Sequence, residues 1–260
     1  MSYVLRFSTL VLVSSLVVLW LSIRLGVFFR KRRQNLEENE REDFGIVMSA
    51  ILTLLGLIIG FSFSMAISRY DQRKTLEEAE ANAIGTEYVR ADFLPAPYAA
   101  KVRTLLRDYL DQRVLYYKTR DDQELVQIEF ATGQLEAKLW SAVQAPTAAQ
   151  PTAPLTITAM GMNDVLNSKG YTQAAWLNRI PNAAWCLMVA IAVICNLLIG
   201  YGARRGGART TLLLVLPLVI AMSFTLIADI DSPRGGVVRV NTENLAKLSQ
   251  TLHASNPDRP

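Results

Sequence analysis

The sequence predicts an all-α polytopic membrane protein with four transmembrane helices and an extramembrane helical bundle inserted between spans 2 and 3. Three observations carry this. The 260 residues are 51% hydrophobic, at a mean hydropathy of +0.20, and the apolar residues fall in long blocks, the pattern of a membrane chain. Four blocks reach the roughly 20 residues that a helix needs to cross a bilayer. The mixed-charge interval between the second and third blocks is rich in helix formers, with apolar residues at helical spacing.

The first span runs from about Phe7 to Phe29, with Arg24 near one end, where a long side chain can snorkel to the interface. The run is too long for a cleaved signal peptide, no A-x-A site follows, and Arg30 to Arg33 (RKRR) come next, so the span is read as retained. The second span covers about Phe44 to Ile67 and passes into Arg69, Tyr70 and Asp71 with no Gly or Pro stop, so its helix is expected to continue out of the membrane. Residues 75–94 read as helix until Pro95-Ala96-Pro97 breaks it. Residues 98–117 carry Val102, Leu105, Leu106, Tyr109, Leu110 and Val114 at helical spacing, and residues 121–143 read as a third helix. The stretch QAPTAAQPTAP, residues 144–154, is a linker by composition, and residues 155–180 are expected to lead as helix into the third span.

That span, about Pro181 to Ala203, begins on a proline whose missing N–H would be unpaired there anyway. The fourth, about Thr211 to Ala228, holds Pro217, which frees a carbonyl one turn back and favours a bend. The expected organisation is a first membrane hairpin over 1–68, a helical region over 69–180, a second hairpin over 181–228 and a polar C-terminal tail over 229–260.

Cys186 and Cys195 lie nine positions apart, on opposite sides of a helix at about 100° per residue, so no disulfide joins them and both read as small residues in a buried helix. The single histidine, His253, lies in the polar tail, which leaves no histidine triad and no zinc site. H-E-x-x-H, G-x-S-x-G, Walker and dinucleotide motifs are absent. No enzyme, cofactor or metal is expected. The net charge of +4 is modest and sits near the membrane, without the basic–aromatic pattern of a nucleic-acid binder.

Basic residues in short loops set orientation. Arg30, Lys31, Arg32, Arg33 and Arg41 follow the first span, and Arg204, Arg205 and Arg209 follow the third. Both loops would be cytoplasmic in an inner-membrane, multi-pass protein, leaving both termini and the helical region outside. Arg69, Arg73, Lys74, Arg234 and Arg239 flank the other side and make the count less one-sided.

The second span also holds the candidate site. Ser49, Thr53, Gly56, Gly60 and Ser64 fall within roughly 80° of arc at 100° per residue, and Asp71 shares that face, whereas Ser62 points away. Small residues four apart, Gly56, Gly60 and Ser64, let helices pack closely. Hydroxyls in a row can also line a path and replace ion hydration. Both readings hold together in an oligomer. Arg69 and Arg73, four apart, are either interfacial anchors or an anion-attracting ring at a pore mouth. Asp229 and Asp231 close the fourth span, and Ser232-Pro233 turns the chain. Aspartates at a helix C-terminus oppose the macrodipole. They read as exposed carboxylates marking the interface, as partners of arginines on a neighbouring helix, or as a hard-cation site.

GFSFSMAISRY, Gly60 to Tyr70, resembles the end of the second membrane helix of bestrophin anion channels, where a Gly-Phe pair is followed by a hydroxyl residue, an arginine and an aromatic. Here those are Gly60-Phe61 and Ser68-Arg69-Tyr70. DIDSPRG, Asp229 to Gly235, loosely resembles the acidic–proline–glycine turn after the last bestrophin span, and the order of elements matches. The chain is thus similar to a bacterial bestrophin-like family. The resemblance implies an oligomeric ion channel in the bilayer, passing small anions, with Thr53, Leu57 and Phe61 at the neck of the pore and Asp229, Asp231 and Pro233 forming the interface turn; joined to the helical spacing, it adds Ser64 to the pore lining, Arg69 and Arg73 at its mouth, and Gly56 and Gly60 at helix contacts. Thr53 stands where an apolar neck residue is usual, and the acidic calcium clasp of animal bestrophins has no counterpart. Bestrophins keep their long helices cytoplasmic, opposite to the loop charges. The alternative is a non-conducting scaffold or sensor whose helical bundle binds a partner.

Overall fold

α1 (Ser2–Arg32), α2 (Glu38–Arg90), α3 (Ala96–Lys118), α4 (Asp122–Ala149), α5 (Ala153–Leu177), α6 (Asn182–Gly202), α7 (Leu212–Asp231) and α8 (Glu243–Ala254) make up the regular structure, with a 3-10 turn at Ala91–Phe93. The computed structural model describes residues 2–32, 38–203 and 212–254, and no strand occurs among them. Of the loop arginines used for orientation, Arg33, Arg204, Arg205 and Arg209 lie outside the described residues, as do the side chains of Arg32 and Arg41.

Four helical stretches are long and apolar enough to cross a membrane: Ser8–Lys31, Glu42–Phe93, Ala153–Gly202 and Leu213–Asp231. The 53 residues of α2 would span about 80 Å at 1.5 Å per residue, well over twice a hydrocarbon core. Only its apolar part, residues 44–67, fits inside lipid.

The chain divides into two compact units. The first comprises Met1–Tyr70 and Arg179–Arg239. Here α1 packs on α6 and α7, and Leu19, Leu55, Met188, Ala192, Cys195, Ile220 and Phe224 form its core. Cys195 is buried and Cys186 exposed, both free thiols. Arg24 lies over the Trp20 ring at 4.9 Å, one helical turn away. Arg30 donates to the carbonyls of Tyr201 and Ala203, capping the C-terminal end of α6.

The second unit comprises Asp71–Asn178 and Val240–Pro260. Val102, Leu106, Tyr109 and Leu110 of α3 lie in its core with Ile84, Leu139, Met162 and Val165. Asp121 caps α4 by accepting from the backbone N–H of Gln123 and Glu124.

Two segments differ from their composition. Helix α4 continues through Gln144–Ala149 with Pro146 inside it and buried, so only Gln150–Thr152 interrupts the helices within the expected linker. Leu139, Ala142, Val143 and Pro146 lie on one face and are buried together, and this burial outweighs the missing proline N–H. The polar tail contains α8, where Leu245 and Leu252 are buried and Leu248 is partly so, at spacings of three and four. His253 is carried on that helix, its Nε2 2.9 Å from Asp111 Oδ2.

Candidate functional site

Along the apolar part of α2 the two faces separate cleanly. Leu55, Ser62 and Ala66 are buried against their own chain. Thr53, Gly56, Gly60 and Ser64 lie on the uncovered side, with Leu57 at 53% and Phe61 at 62% exposure. A Cβ placed on Gly56 or Gly60 would find nothing within 4 Å. The small and hydroxyl face is therefore not sealed within the chain. The hydroxyls of Ser49 and Thr53 each donate to a carbonyl one turn back, at 2.9 Å, so their protons are committed to the backbone.

Close backbone contact occurs elsewhere. A Cβ on Gly26 of α1 would strike the Leu197 carbonyl oxygen, and one on Gly200 of α6 would strike that of Ile23. Gly26 follows Ser22 by four residues on α1, a shorter small-residue repeat than the one on α2.

At the end of α7 the two aspartates are buried, each 6% exposed. Asp229 accepts from the N–H of Val237 and Val238 at 2.8 Å and from the Ser8 hydroxyl at 2.5 Å. Asp231 accepts from the N–H of Ile180 at 3.1 Å and lies 3.6 Å from Arg69 Nη1. Backbone donors and one guanidinium thus offset the unfavourable end of the helix dipole. The turn between them holds Pro233, with the Gly235 N–H donating to Ser232 Oγ at 3.0 Å. Asp231 lines a groove of about 360 Å³ with Arg179, Trp185 and Phe224. The reading as exposed interface markers gives way to a buried turn.

Arg69 and Arg73 part company. Arg69 is largely buried and paired with Asp231. Arg73, expected at a pore mouth, is 1% exposed inside the second unit, its Nε donating to the Ala175 carbonyl at 3.3 Å. One more turn of helix carries it from the interface into a packed core.

That core hides what the sequence reading missed. Arg73, Glu77, Glu80, Ile84, Glu87 and Ala91, spaced four and three apart on α2, are all buried. Glu80 pairs with Arg113 and accepts from Tyr117 Oη at 3.1 Å and Thr172 Oγ1 at 3.2 Å. Burial, with the Glu80 charge beside it, holds the Tyr117 phenol well above its usual pKa, a neutral donor. The signal was a charge at four of these six positions, in a stretch where other positions are equally polar. Among the described residues, no group of three or more His, Cys, Asp or Glu side chains could hold a metal ion.

A family model for a Bestrophin-like domain matches residues 15–245. No curated protein matches the chain. The crystal structure of a bacterial Bestrophin homologue from Klebsiella pneumoniae superposes with a TM-score of 0.64 at 13% identity, over 97% of this chain and 99% of that one. A point mutant of the Klebsiella pneumoniae homologue gives 0.62 at 13% identity, over 95% and 98%, and another solved membrane protein gives 0.64 at 12% identity, over 98% and 100%. At such identities the likeness is one of fold.

Proposed function

The chain belongs to the Bestrophin-like family, and from that premise we propose that it assembles with copies of itself into a channel for small anions, lined by α2. The observation that carries this is the uncovered small and hydroxyl face of α2. A membrane helix with a polar edge that its own chain leaves open needs either a partner helix or water along that edge. A ring of copies supplies both: Gly56 and Gly60 give room for a neighbouring helix, and Thr53, Leu57, Phe61 and Ser64 line the path. Leu57 and Phe61 form the narrow apolar part. Thr53 departs from an apolar neck residue less than its type suggests, because its hydroxyl is bonded to the backbone. Arg69 stands at the mouth with its charge largely balanced by Asp231, so anion attraction there is weak, and Arg73 takes no part.

The second unit is the extramembrane bundle, inserted between spans 2 and 3 and completed by α8. We assign it to the cytoplasm, following the bestrophin topology, because the loop-charge count is contested from both sides and Arg30 is already used to cap α6. Reporters fused at Gly206 and near Ala148 check this. The cytoplasmic reporter should be active at Ala148 and silent at Gly206, and the reverse pattern overturns the assignment.

Purified protein in liposomes should pass chloride. Phe61→Ala should raise the rate roughly tenfold, equivalent to about 1.4 kcal/mol of barrier. Well-folded protein with no flux above empty liposomes ends the channel reading. The scaffold reading has one observation in its favour: Val126, Phe130 and Trp140 of α4 are exposed large apolar residues outside the apolar part of α2. A monomer in mild detergent would favour it.

A further inference from the structure

Five carboxylates are buried among the described residues: Glu77, Glu80, Glu87, Asp229 and Asp231. Four are well partnered. Glu77 accepts from the Leu245 N–H at 3.0 Å and Asn244 Nδ2 at 2.8 Å. Glu80 has Arg113, Tyr117 and Thr172, and both aspartates accept backbone N–H groups. Glu87 is the exception. It is 0% exposed, and neither of its carboxylate oxygens has a hydrogen-bond partner.

The packing around it explains the isolation. Helix α5 crosses here on Gly161, where a Cβ would strike Glu87 Oε2 and crowd Arg90 Nη1. The α5 backbone therefore closes directly over the carboxyl. A buried carboxylate without donors is costly, whereas a neutral carboxyl is tolerated far better.

We propose that Glu87 is a proton-binding site of the second unit, occupied while α2 lies against Gly161 of α5, and that losing the proton loosens that contact. Two charged groups act on it: Arg90, one turn on along α2, and Asp164, one turn on along α5. Burial pushes the carboxyl up to about 8, against Arg90 and with a smaller contribution from Asp164. Glu87 lies 20 residues beyond Ile67, outside the stretch of α2 that fits in lipid.

The direction of the pH effect follows. In the opened contact Glu87 titrates near its ordinary 4.5, and in the closed one near 8. Below 4.5 both forms hold the proton and pH has no effect. Between the two values the closed form alone holds it, so closure weakens by up to roughly tenfold per pH unit as pH rises. Above 8 both are ionised and the loss levels off.

The test is hydrogen–deuterium exchange on the full-length protein in detergent from pH 6 to 9, corrected for intrinsic exchange. Wild-type peptides covering 83–90 and 157–165 should lose protection with rising pH and level off past 8, while Glu87→Gln stays flat. A wild type with no pH dependence, or an E87Q variant with the same dependence, overturns the proposal. Infrared titration of the wild type is a second readout should E87Q fold poorly. A protonated-carboxyl band at pH 6.5 should disappear as pH passes 8, and its absence at pH 6.5 is equally fatal. Exchange reads the contact and the infrared band reads the proton, so both stand or fall apart from ion conduction.

Discussion

Arg113→Ala should destabilise the second unit by about 3–5 kcal/mol, the cost of breaking a buried ion pair from one side. The Arg113 and Glu80 side chains are 1% and 0% exposed, so the change leaves a carboxylate in the core without its cationic partner. Glu80 would keep only the Tyr117 and Thr172 hydroxyls, two neutral donors for a full charge. The guanidinium also stacks 4.5 Å from the Tyr116 ring centroid, a contact that alanine removes. Burial alone would lower the Arg113 pKa, but the Glu80 carboxylate beside it reverses this and raises it, so the guanidinium keeps its charge. The expected reading is a fall in melting temperature of roughly 6–20 °C in detergent, at 2–4 °C per kcal/mol for a chain of this size. Replacing both residues with methionine should cost much less than either single change, because no orphaned charge remains. An R113A protein that melts like the wild type would mean that the pair does not hold this core.

Gly26→Ala and Gly200→Ala should each destabilise the first unit by about 1–3 kcal/mol, and valine at either position by more. The effect comes from geometry rather than flexibility. Each added Cβ meets a backbone carbonyl across the α1–α6 contact, at Leu197 or Ile23, and a carbonyl oxygen cannot rotate away as a side chain can. Between membrane helices there is little hydrophobic drive, so association rests on close van der Waals packing of this kind. The matched control is Gly56→Ala and Gly60→Ala, where nothing in the chain lies within 4 Å. Those changes should leave the subunit's thermal stability intact and act on assembly. Thermal melts with size-exclusion profiles separate the two classes. Equal stability losses at Gly26 and Gly60 would contradict the packing described.

The spans were legible because lipid demands about 20 apolar residues in sequence, a linear property. The polar edge of α2 was legible too, since a helix converts spacing into direction. The same arithmetic misjudged Arg73. It put Arg73 on one helix face with Arg69 but could not say that Arg73 is packed inside the second unit. Glycine spacing pointed at Gly56 and Gly60, whereas the backbones meet at Gly26 and Gly200. A single glycine per helix is enough when the crossing point falls on it, and a crossing point is not written in either helix alone.

The sequence by itself determined the membrane class, the helical content and the face of α2 that stays hydrophilic, because these depend on composition and periodicity along one chain. Only the tertiary structure decided that Asp229 and Asp231 are buried and satisfied, that Glu80 has partners and Glu87 has none, and that the C-terminal segment closes the second core through Leu245 and Leu252. The physical reason is that a carboxylate's fate depends on which donors lie within about 3 Å of it. Several of those donors come from segments tens of residues away in the chain, as Ile180 is from Asp231 and Thr172 from Glu80.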